Sequence, residues 1–139
     1  MVEGGIIDES QLFKPNLYGP LGAVWVDENN IIYSGGFYLY RYKNNSWNYV
    51  TSLPENYLRG NPSLHRGVIS SIRGNSVNDY IIAGGRNTLQ HFNGIDWEQL
   101  GLPYDPSSAI VWRDVQMKNN TAIAVGNKGS NAFIILLKR

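Results

Sequence analysis

The sequence predicts an all-β domain assembled from about three copies of one small antiparallel sheet, and three observations predict it. The first is internal repetition. Shifted by 50 residues, the segment 31–47 falls on 81–97 without a gap, placing Ile31 on Ile81, Ile32 on Ile82, Gly35 on Gly85, Leu39 on Leu89, Tyr42 on Phe92 and Trp47 on Trp97. A third copy follows at a shift of 42 from the second, with Ile81 on Ile123, Ala83 on Val125 and Gly84 on Gly126. A fixed period of this size marks a repeat architecture. The second observation is that every copy alternates short apolar runs with turn-forming pairs, and no helical periodicity competes. The third is composition: 12% aromatic residues, 15 glycines and only 17% charged residues favour short strands and many turns.

The elements follow in order. In the first copy the strands are Ala23–Val26, Ile31–Ser34, Tyr38–Tyr42 and Trp47–Val50, joined at Asn29-Asn30, Gly35-Gly36 and Asn44-Asn45. In the second they are Val68–Ile72, Tyr80–Ala83, Leu89–Phe92 and Trp97–Leu100, joined at Asn78-Asp79, Gly84-Gly85 and Asn93-Gly94. Asn-Gly between alternating apolar residues predicts a tight hairpin, because both residues tolerate the positive φ of a primed turn. The third copy supplies Ile110–Val115, Thr121–Val125 and Phe133–Leu137, and its fourth strand is missing.

Four short antiparallel strands in about 40–50 residues describe a β-propeller blade, whose two apolar faces are covered by the blades beside it. The stretch Ile31-Ile32-Tyr33-Ser34-Gly35-Gly36, followed by Tyr42, Trp47 and Leu53-Pro54, resembles a kelch blade, and the second copy keeps Gly84-Gly85, Trp97 and Leu102-Pro103. The diglycine and the tryptophan stand closer together than in kelch repeats. Phe92-Asn93-Gly94-Ile95-Asp96-Trp97 also resembles the Asp-box (BNR) repeat, without its Ser-x-Asp-x-Gly order. The resemblance covers Gly22 to the end of the chain and implies a propeller fold, not an activity.

The predicted division is an N-terminal segment, 1–21, followed by three blades over about 22–53, 67–103 and 109–139. Propellers close with about 4–8 blades. Three leave apolar blade faces uncovered. A two-fold homodimer forming a six-bladed ring is the simplest closure, and a piece of a larger propeller is the alternative. The segment containing Gly5-Ile6-Ile7 and Gln11-Leu12-Phe13 has no place in the first blade and is a candidate for the missing outer strand of a third blade, in its own chain or its partner.

Composition also narrows function. The formal net charge is +1, with Lys and Arg scattered singly, so no basic stripe exists for nucleic acid. There is no cysteine, which removes thiolate chemistry. No apolar run approaches the ~18 residues of a membrane span, and no signal peptide is visible. A soluble chain is expected, its compartment unassigned and export left open if a leader was removed. Only two histidines occur, His65 and His91, and no ligand cluster at metal spacing accompanies them, so no metal or cofactor is expected. His91 reads as a solvent-edge strand residue.

Trp47 and Trp97 recur at one blade position and are expected to wedge between blades. Trp25, Arg73, Trp112 and Arg113 fall on innermost strands and are candidates to line or plug the channel. The connections from second to third strand and from one blade to the next share one face of a propeller. On that face the ligand-binding candidates are Tyr38, Tyr57, Arg59, His65, Arg66, Arg86, Asn87, Tyr104 and Lys128, since Tyr and Arg combine contact area with directional hydrogen bonds. The expected function is a non-catalytic module recognising a protein or a glycan. The alternative is a glycoside hydrolase of sialidase-like design, but none of Glu3, Glu9, Glu28, Glu55 and Glu98 falls in a recognisable catalytic context.

Overall fold

The computed structural model describes residues 20–52, 67–103 and 107–139, and every regular element among them is a strand. In chain order these are β1 (Leu21–Val26), β2 (Ile32–Gly36), β3 (Tyr38–Lys43), β4 (Ser46–Ser52), β5 (Ile69–Ser76), β6 (Asp79–Gly84), β7 (Leu89–Phe92), β8 (Trp97–Gln99), β9 (Ile110–Lys118), β10 (Thr121–Lys128) and β11 (Asn131–Lys138). They form two four-stranded sheets, β1-β2-β3-β4 and β5-β6-β7-β8, and one three-stranded sheet, β9-β10-β11, all antiparallel between sequence neighbours.

Local chemistry sets the turns. The Asp27 carboxylate ends β1 by accepting the backbone N–H groups of Asn29 at 2.9 Å and Ile31 at 2.7 Å, while Asn30 turns the chain at φ 59°. Asn44 and Asn45, at φ 54° and 59°, make the two-residue primed turn between β3 and β4. The turn after β7 is wider than Asn93-Gly94 predicts. It runs over residues 93–96, with Gly94 at φ 95° and the Asn93 side chain accepting the N–H groups of Ile95 at 2.9 Å and Asp96 at 2.8 Å. The extra residues bring Trp97 opposite Phe92.

The sheets stack face to face in chain order, with β5 against β1 and β2, and β9 against β5 and β6. First strands are therefore neighbours and fourth strands lie away from them, as in consecutive blades. Between the first and second sheets the core is Tyr33, Leu39, Ile69, Ile72, Tyr80 and Ile82, joined by Trp25, Phe92 and Trp97. Between the second and third it is Ile81, Ala83, Leu89, Ile110, Trp112, Val115, Ala122 and Ala124. Strand β6 serves both: Tyr80 and Ile82 point one way, Ile81 and Ala83 the other, and all four are buried. Burial of each such isoleucine contributes ~1.5–3 kcal/mol, so the middle sheet is held from both sides.

Strand pairing corrects the repeat alignment. Each first strand carries a bulge at the same place, with Leu21, Ile69 and Trp112 opposite Gly36, Gly84 and Gly126 on one side of it, and Ala23, Ser71 and Asp114 opposite Gly35, Ala83 and Val125 on the other. Gly36, not Ser34, thus corresponds to Gly84, and Tyr33 corresponds to Ile81 and Ile123. Tyr42 still corresponds to Phe92 and Trp47 to Trp97, because the β2–β3 connection is shorter than the β6–β7 connection. A Cβ at these glycines would run into the carbonyl oxygen of Pro20, Val68 or Val111 respectively, which is why glycine holds this position in each second strand.

In this register, corresponding positions differ sharply in exposure. Val24 is 61% exposed, whereas its counterpart Ile72 is 0% exposed. Ile123 is 42% exposed against 2% for Ile81, and Ile134 is 72% exposed against 0% for Leu89. The difference is position in the stack. The face of the first sheet turned from the second, and the face of the third sheet turned from the second, have no sheet opposite them among the described residues.

Candidate functional site

The connections expected to share one end of the stack do so: Gly85 donates its N–H to the Val68 carbonyl at 3.0 Å, and Gly67 donates its N–H to the Thr88 hydroxyl oxygen at 2.8 Å. The β6–β7 connection is fixed by Asn87, which is buried at φ 59°. Its backbone N–H donates to Ile110 O at 2.8 Å, its amide donates to Leu102 O and Pro103 O at 3.3 Å each, and its side-chain oxygen accepts the Trp112 indole N–H at 2.9 Å. Gln99 donates to the Asn87 carbonyl at 2.9 Å. Asn87 is therefore occupied in tying the loop to the next sheet. The neighbouring Arg86, at φ 51°, stands exposed on the loop so held.

Of the other ligand-binding candidates, Tyr57, Arg59, His65, Arg66 and Tyr104 lie outside the described residues. Tyr38 is half-buried, with its ring 5.8 Å from Tyr40 and 6.0 Å from Tyr49 on the outward face of the first sheet. Lys128 is exposed at the end of β10, on the same end of the stack as Arg86.

The channel candidates divide. Trp112 is buried between the second and third sheets instead of bordering a channel. The bulge explains it: Arg113 is the unpaired residue between Trp112 and Asp114, so the alternation resets and Trp112 points to the same side as Val115. Trp25 also packs into a sheet interface, its ring 5.3 Å from Tyr33 and 5.7 Å from Tyr80. Arg73 is half-buried and donates to Ile72 O at 2.6 Å and Val24 O at 3.3 Å, while Arg113 is exposed and donates to Asn127 Oδ1 at 3.0 Å.

Residue reading missed a polar cluster at the opposite end. His91 is buried, not at a solvent edge, because it stands opposite Ile81 on the face that packs against the third sheet. Its Nε2 lies 2.7 Å from Asp79 Oδ1 and 2.8 Å from Arg139 Nη2, and Arg139 also pairs with Asp79. Asn75 donates to Asp79 Oδ2 at 2.7 Å and to Asn119 O at 2.9 Å, and accepts the Asn119 N–H at 2.9 Å. Burial pushes the Asp79 pKa up, but hydrogen bonds from Arg139, Asn75 and His91 outweigh it and hold the carboxyl below the usual range. With both Asp79 oxygens and His91 Nε2 engaged by neighbouring side chains, this arrangement joins the second sheet to the third. The available signal was that His91 shares a face with Ile81 and Leu89.

Beside the cluster a cavity of about 380 Å³ opens between the outer strands of the second and third sheets, with Ile81, His91 and Glu98 on one wall and Met117, Ala122 and Leu137 on the other. On the inner strands, Ser71 donates its hydroxyl to Asp114 Oδ1 at 2.6 Å, a bond that lowers the Asp114 pKa against partial burial. No group of three or more possible metal-ligating side chains occurs among the described residues. No helix among them is long and apolar enough to cross a membrane. No family model, curated protein or solved structure matches the chain.

Proposed function

We propose that the chain is half of a β-propeller, closed by a second copy into a ring of six blades, and that the ring is a non-catalytic module binding a protein or a glycan. One observation carries the assembly. Positions buried wherever a neighbouring sheet exists, such as Ile72 and Leu89, are strongly exposed at the two ends of the stack, as Val24 and Ile134. The two exposed faces are repeat copies of two faces that pack on each other inside the chain. The third sheet of one copy is therefore matched to the first sheet of another, and two such head-to-tail contacts close a two-fold ring. Two copies are the only multiple of three blades within the ~4–8 that propellers use.

The construction of the connection-bearing end supports the binding reading. Asn87 and Thr88 anchor the β6–β7 loop and present Arg86 from a rigid base, which lowers the entropic cost of holding a ligand. Lys128 adds a second cation at the same end. Tyr38 and Tyr49 belong on this reading to the contact between copies, because they share the outward face of the first sheet. A glycan array probed with the full chain, together with a panel of fluorogenic glycosides, tests the binding reading. Binding without turnover, weakened tenfold or more by Arg86→Ala, is expected. Turnover abolished by a single glutamate substitution such as Glu98→Gln overturns it in favour of a hydrolase.

A further inference from the structure

We infer that Asn93 is a self-modification site: in the folded protein its side-chain amide is lost through attack by the Gly94 backbone nitrogen, leaving aspartate or isoaspartate at position 93.

Chain chemistry supplies the nucleophile. Asn93 is followed by glycine, and no other asparagine in the chain is. Glycine has no Cβ to shield its backbone nitrogen. Gly94 belongs to neither β7 nor β8, and its N–H donates no hydrogen bond among the described residues. The nitrogen is therefore not held in a ladder, as it would be within a strand.

The turn prepares the electrophile. Asn93 Oδ1 accepts the N–H of Ile95 at 2.9 Å and of Asp96 at 2.8 Å. When the Gly94 nitrogen bonds to Cγ, Oδ1 takes the negative charge of the tetrahedral intermediate, and these two donors already point at it. Preorganised backbone N–H groups on a developing oxyanion lower the barrier to attack on an acyl carbon. The same two bonds fold the side chain back over the Gly94 peptide, so the reacting groups stay together. The departing nitrogen is unrestrained: Asn93 is exposed, and its Nδ2 makes no hydrogen bond among the described residues.

Other asparagines lack this combination. Asn75, followed by Ser76, donates through Nδ2 to Asp79 Oδ2 and Asn119 O, which holds the nitrogen that would have to leave. Asn45, followed by Ser46, receives at Oδ1 the Tyr42 hydroxyl at 3.5 Å and no backbone N–H.

The reaction balances with water as its only co-reactant. The N–Cγ bond forms as the Gly94 nitrogen gives up its proton, the Cγ–Nδ2 bond breaks, ammonia leaves, and a succinimide joins residues 93 and 94. Water then opens the ring. Addition at Cγ gives aspartate, whose carboxylate can accept the same two N–H groups. Addition at the main-chain carbon gives isoaspartate, which inserts a methylene into the backbone between Phe92 and Trp97, the pair that stands opposite across β7 and β8.

Incubation of the unmodified full chain at mildly alkaline pH, with each asparagine followed by peptide mass mapping, tests the site. Conversion at Asn93 is expected to run at least tenfold faster than at Asn45 or Asn75, with one ammonia released per converted chain. Part of the product is expected to accept a methyl group from an isoaspartyl methyltransferase. Equal rates at the three positions, or an intact Asn93, overturn the assignment. The same incubation of the chain held unfolded in urea isolates the contribution of the turn. Conversion at Asn93 is expected to slow at least twofold there; an equal or faster rate in the unfolded chain overturns the oxyanion role of the Ile95 and Asp96 N–H groups.

Discussion

Trp112 donates its indole N–H to the Asn87 side-chain oxygen at 2.9 Å, across the boundary between the third sheet and the second. Both residues are buried, so the bond has no water to replace it. Trp112→Phe keeps most of the apolar area and leaves the Asn87 oxygen unpaired, a loss of about 1–3 kcal/mol. Urea unfolding of the variant measures it; an unchanged midpoint would mean that the bond contributes nothing to joining the sheets.

Gly126 and Gly129 sit close together in sequence yet predict opposite sensitivities. A Cβ on Gly126 collides with the Val111 carbonyl and the Trp112 backbone, whereas Gly129, at φ 58°, has nothing within 4 Å. Gly126→Ala is expected to destabilise by about 2 kcal/mol or more. Gly129→Asn, which tolerates left-handed backbone, is expected to stay within about 0.5 kcal/mol of wild type. Equal thermal shifts in the two variants would contradict this.

The Asp79 cluster makes stability depend on pH with a defined sign. Its carboxyl has a lowered pKa when folded. The stabilisation is therefore present above the unfolded value near 3.8 and is lost as pH falls through the lower folded value. Asp79→Asn is expected to cost about 1–2 kcal/mol at neutral pH and to converge with wild type under strongly acidic conditions. Denaturation curves collected from neutral to acidic pH check it, and parallel curves with no convergence would refute the assignment.

Most of the fold was legible in the residues because turns and period are local. Asn44-Asn45, the glycines late in the second strands and the matched Trp47 and Trp97 set eleven strands nearly where they lie. What escaped depends on pairing. A bulge at Arg113 adds one residue to one strand and reverses where Trp112 points, and no single-residue signal reports it. The two-residue difference between the β2–β3 and β6–β7 connections moved the correspondence of Tyr33 from Ala83 to Ile81. Asp79, His91 and Arg139 meet only because β11 ends beside β7 in space, 48 residues apart in sequence. The candidate binding residues were least legible, since most lie on long connections.

Ile134 and Leu136 lie on the outward face of the third sheet, 72% and 57% exposed. On the two-copy account they are core residues awaiting a partner. Ile134→Lys with Leu136→Lys is expected to leave the strand content of the circular dichroism spectrum intact and to weaken self-association at least a hundredfold, since burying an unpaired charge in an apolar contact costs several kcal/mol.

The central claim is tested most directly by light scattering coupled to size exclusion on the unmodified chain at micromolar concentration. The account predicts a folded particle of twice the 15.6 kDa chain mass. A well-folded monomer of 15.6 kDa with the same strand content would contradict it.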